Sequence, residues 1–152
     1  MIESIKKKLG RSKDPVQRLE EEISQPGDIE GLEAFLGLCD QAGELVAKVT
    51  DIVRDDETPE GERLVPLRET IQGLSQIYKR MKGLPQQEDS GLRKSQKRFV
   101  NGLGDYIYGC KAHADCYESG NRWYIGYALS NERSGVKNMD KARQELTGLS
   151  RS

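Results

Sequence analysis

Histidine occurs once in this chain of 152 residues, tryptophan once and phenylalanine twice. Any histidine-dependent catalysis or metal binding must therefore pass through His113. No apolar run exceeds seven residues, as in Trp123–Leu129 with Tyr124–Leu129 inside it, whereas a membrane-spanning helix needs about 20. The start, Met1-Ile-Glu-Ser-Ile-Lys-Lys-Lys-Leu9, lacks the apolar stretch of a secretory leader. No Asn-x-Ser/Thr acceptor occurs. Three cysteines are an odd number and no disulfide framework; they are expected as reduced thiols in a cytoplasmic protein. Charge is balanced at −1, so no global field draws the chain to nucleic acid or membrane. β-alternation of useful length, internal repeats and a Gly-x-x-x-x-Gly-Lys-Ser/Thr loop are all missing.

Helical patterning is abundant. Charged residues make up 32% and hydrophobic ones 35%, a balance suited to helices with much solvated surface and too apolar for a disordered chain. The length fits one domain. Residues 1–13 read as a basic segment with the composition of a frayed end, and residues 14–150 as a single helical bundle. Asp14-Pro15 starts a short helix carrying Val16, Leu19 and Ile23, which Pro26-Gly27 stops.

Four main helices follow. The first covers about 29–53, with Leu32, Phe35, Leu36, Cys39, Ala42, Gly43, Val46 and Val53 on one face. Leu38, Leu45, Val49 and Ile52 form an adjacent stripe, which implies more than one neighbour. After the break at Asp55–Gly61, a second helix spans about 64–81, narrower in its apolar face. Gly83–Gly91 is a loop. The third helix is expected as one long element over about 92–130, weakened by glycines and breakable near Gly120-Asn121. A loop over 130–137 and a last helix over about 138–149 complete an all-α fold: a helical bundle of four main helices plus the short N-terminal one.

The segment Leu103–Tyr127 gathers the single histidine, two of three cysteines and six of nine aromatic residues, around Cys110-x-x-His113-x-x-Cys116. On a helical wheel Tyr106, Ile107, Cys110, His113, Ala114, Tyr117, Tyr124 and Ile125 lie within about 80° of Leu103. Cys116, Trp123 and Tyr127 fall on a second face with Gly102, Gly109, Ala112 and Gly120. The aromatic face predicts core. The small-residue face admits a close backbone neighbour, from the same chain or from a second copy in a twofold pair.

Cysteine and histidine are good ligands for zinc, copper or iron. Cys110 and His113 can reach one ion, and Cys39 can join them from the first helix. But Cys110 and Cys116 lie about 120° apart around the axis, a fourth ligand is missing, and no paired C-x-x-C occurs. Buried cysteines with a hydrogen-bonded histidine explain the residues more simply, so no cofactor is assigned. A Cys110–His113 nucleophile pair lacks an orienting partner and an oxyanion site, so the residues give no positive sign of an enzyme.

The function expected from these residues is a non-enzymatic protein-interaction or self-association module. Its candidate face is Gly102, Gly109, Cys116, Gly120, Trp123 and Tyr127. The alternative is a ligand- or metal-binding bundle centred on Cys110 and His113, with Cys39. A further alternative docks phosphate or membrane on basic ends. One is Lys79, Arg80, Lys82, Arg93, Lys94, Lys97 and Arg98 around the Gly83–Gly91 loop. The other is Lys6, Lys7 and Lys8 for peripheral membrane contact. No aromatics lie between the basic residues of 79–98, which disfavours nucleic acid.

Overall fold

The computed structural model describes residues 29–150. The expected short N-terminal helix and the basic segment with Lys6, Lys7 and Lys8 lie outside them. Four helices make up the described chain: α1 (Ile29–Arg54), α2 (Glu60–Gly83), α3 (Ser90–Ser119) and α4 (Ile125–Ser150). The described residues contain no strand, so the fold is all-α. No described helix is long and apolar enough to cross a membrane.

Local chemistry sets the boundaries. Asp55 accepts hydrogen bonds from the backbone N–H of Glu57 and Thr58 and shapes the α1–α2 turn. Pro59 stands at the N-cap of α2, and its carbonyl accepts from Glu62 and Arg63. Helix α2 thus begins earlier than its apolar pattern, and Pro66 sits inside it. Helix α3 starts where the Asp89 carboxylate accepts the Leu92 N–H at 2.9 Å. It ends at Gly120, whose φ of 72° is left-handed and whose N–H bonds the Cys116 carbonyl.

The one long helix expected over 92–130 is therefore two, and the chain reverses through 120–124. The expected loop over 130–137 is helical and belongs to α4. Its Ser, Asn and Gly residues suggested a turn, but tertiary contact decides it. Helices α3 and α4 form an antiparallel hairpin with the most extensive contact in the fold. Small buried residues recur every seven positions on both sides: Ser95, Gly102, Gly109 and Cys116 face Ala128, Gly135 and Ala142. A Cβ on Gly135 would stand 2.6 Å from the Gly102 carbonyl oxygen, and one on Gly109 would stand 2.7 Å from that of Ala128. Only glycine permits this approach.

One hydrophobic cluster joins all four helices, including Phe35, Leu67, Leu74, Leu103 and Leu146, each essentially without solvent contact. Phe35 meets Phe99 edge-on at 6.0 Å between ring centres.

Candidate functional site

The first predicted site lies on the buried side of α3. Tyr106, Cys110, His113 and Tyr117 are all buried there, as the wheel indicated. The bond that organises them comes from α4: His113 Nδ1 lies 3.0 Å from Glu132 Oε2. An ionised carboxylate only accepts, so the facing ring nitrogen is the donor. His113 also meets the Tyr117 ring edge-on at 4.9 Å. The Arg63 guanidinium lies 4.9 Å from the Tyr117 ring centre and donates to the Tyr117 hydroxyl at 3.1 Å. The same nitrogen of Arg63 donates to the carbonyls of Ile52 and Val53 at the end of α1. A polar chain thus runs from α4 through α3 and α2 to α1, with every link buried or half-buried.

Glu132 and Arg63 were missed by the sequence reading. Glu132 fell in the stretch read as a loop, and Arg63 fell before the expected start of α2. No spacing rule pairs Glu132 with His113 while residues 130–137 are taken as non-helical.

Burial suppresses the thiolates. It pushes the Cys39 thiol from 9.0 up to about 12, and Cys110 rises further, helped by the nearby Glu132 charge. Burial also raises the Tyr106 hydroxyl, as does its closeness to Cys110. Such cysteines are poor nucleophiles at neutral pH. All three cysteines are free and buried. Among the described residues no three His, Cys, Asp or Glu side chains form a group able to hold a metal ion. Cys39, Cys110 and His113 are not brought together in that way.

The second predicted site divides. Gly102, Gly109 and Cys116 are covered by this chain's own α4. Gly120, Trp123 and Tyr127 lie at the exposed hairpin tip. Tyr124, assigned to the core by continuing the wheel past the break, is also exposed. Trp123 is 83% exposed, with Tyr127 and Tyr108 more than half so. The Tyr108 and Tyr127 rings meet edge-on at 5.9 Å. The neighbouring Tyr127 hydroxyl raises the Tyr108 hydroxyl above its ordinary pKa. The backbone beneath is fixed: Asn121 accepts the Trp123 N–H at 2.8 Å, and Arg122 pairs with Glu60 on α2.

The third predicted site, the basic end, is partly occupied. Arg93 donates to the carbonyls of Gln87 and Glu88. Arg98 donates to both carboxylate oxygens of Glu145 at 2.9 Å. Lys82 lies 5.2 Å from the Tyr78 ring centre. Lys79, Arg80, Lys94 and Lys97 are exposed.

No protein-family model, curated protein or solved structure matches the chain.

Proposed function

We propose that the chain is a non-enzymatic helical interaction module whose contact surface is the aromatic tip of the α3–α4 hairpin. One observation carries this reading. Trp123, Tyr127, Tyr108 and Tyr124 are exposed together on a small helical chain. Grouped exposed aromatics commonly mark contact surfaces, and Trp and Tyr dominate binding energy where they are buried by a partner. The backbone bonds of the tip favour binding, because little order remains to be imposed. The partner is a protein or a second copy of this chain. Three unbridged buried thiols suit a reducing cytoplasm.

Light scattering across a concentration series tests the self-association form, with Trp123 fluorescence followed in parallel. Growth in mass with a blue-shifted emission, both removed by Trp123→Ala with Tyr127→Ala, is the expected result. A monomer at all concentrations refers the surface to a different protein. Solvent-like Trp123 emission in every complex of the chain would refute the tip as the contact.

A second reading has the exposed Lys79, Arg80, Lys94 and Lys97 behind it: phosphate docking at the α2–α3 end. Its mark is binding to anionic vesicles that weakens steeply with salt.

A further inference from the structure

The cleft between the last two turns of α1 and the first half of α4 combines aliphatic walls, a carboxylate and exposed cations. It encloses about 510 Å³, inside the range of small-molecule sites, about 300–1,000 Å³. Val49 and Val53 form one wall, Leu129 and Val136 the other. Tyr106 and Glu132 complete the lining, and the Glu132 side chain is only 12% exposed. Arg54, Arg133 and Lys137 ring the mouth, all exposed and none in an ion pair among the described residues. The cleft beside Phe35 and Met81 offers Lys82 and Lys97 but no buried ionised group. The one between α1 and α2 is smaller, at about 270 Å³.

We propose that the α1–α4 cleft binds a small organic anion that has an apolar body and one hydrogen-bond donor. Each part follows from the lining. Three cations with no ion pair among the described residues favour an anionic group at the mouth. Four aliphatic side chains cover an apolar body and gain by its removal from water. The Glu132 carboxylate has lone pairs beyond the one that His113 occupies, so it accepts from a ligand N–H or O–H. It also repels an anion placed deep in the cleft, which fixes the ligand's direction: charge outward, donor inward. This surface is separate from the aromatic tip, and neither reading depends on the other.

Anilinonaphthalene sulfonate carries the required sulfonate, apolar body and N–H. N-phenylnaphthylamine has the same body and N–H without the charge. Both are titrated into the full chain by fluorescence. The expected result is one saturable site that takes the sulfonate at least about tenfold more tightly than the uncharged dye. Arg133→Glu with Lys137→Glu removes that preference and leaves the uncharged dye's affinity unchanged. Val136→Trp fills the cleft and abolishes both. Lys82→Glu with Lys97→Glu changes neither. Far-ultraviolet circular dichroism checks each variant, and Lys137→Gln supplies the same contrast if the double reversal loses helix. The proposal is overturned by equal affinity for the two dyes, by a charge reversal that weakens both alike, or by loss in the Lys82/Lys97 variant.

Discussion

Replacing Gly135 by alanine tests the tightest glycine approach among the described residues. A methyl group there would lie 2.6 Å from the Gly102 carbonyl oxygen, 2.7 Å from the Tyr106 nitrogen and 2.8 Å from the Tyr106 Cβ. None of these atoms ends a flexible side chain, so none can turn aside. Helices α3 and α4 must part by about 0.8 Å to restore an ordinary contact. Alanine gains up to about 1 kcal/mol over glycine in helix propensity. Overpacking of a close-packed interior costs about 1–3 kcal/mol, and backbone obstruction on two sides places this case near the top. The net expectation is a loss of about 1–2 kcal/mol, or a midpoint lowered by about 3–6 °C. Gly43→Ala is the control. Gly43 is exposed within α1, with nothing within 4 Å of its would-be Cβ. The same exchange there is expected to stabilise by up to about 1 kcal/mol. Urea and thermal unfolding followed by circular dichroism at one concentration give both values. If Gly135→Ala stabilises as Gly43→Ala does, the seam is not packed as described and the reasoning fails.

Two further outcomes follow from the buried polar groups. Glu132→Ala leaves the His113 Nδ1 donor without its partner and is expected to cost about 1–3 kcal/mol in urea unfolding. Glu132→Gln keeps an acceptor and is expected to cost less, so equal losses would show that the hydrogen bond does not matter. Cys39 predicts the alkaline side. Its folded value, about 12, exceeds its ordinary 9.0, so above pH 9 the unfolded thiol releases its proton while the folded one keeps it. Stability is full below pH 9 and declines from there toward pH 12. Cys39→Ala is expected to flatten that decline, and an unchanged slope would assign it to other groups.

The sequence reading went furthest where a pattern is local. Leu103, Tyr106, Ile107, Cys110, His113, Ala114 and Tyr117 repeat at helical spacing, and all are buried. The seven-residue run Gly102, Gly109, Cys116 was legible as a face for a close neighbour. Its owner was not. Recognising α4 as that neighbour requires seeing Ala128, Gly135 and Ala142 as a matching run. A glycine with serine and asparagine around it reads locally as a turn, because its use here is set by the Gly102 backbone, 33 residues earlier in the chain. One misplaced loop then hid Glu132 and carried the wheel past the reversal at Gly120, which put Tyr124 in the core. Exposure at the hairpin tip depends on the same reversal and cannot be read from spacing alone.

The α3–α4 seam also bears on how the chain reaches its fold. The largest interface joins two helices separated by only five residues, Gly120–Tyr124. Closing so short a connection costs little chain entropy, and contacts near in sequence form early in folding. Glycine at the seam, unfavourable for an isolated helix, delays helix formation until the partner helix is present. Helix formation and docking are therefore coupled along this seam.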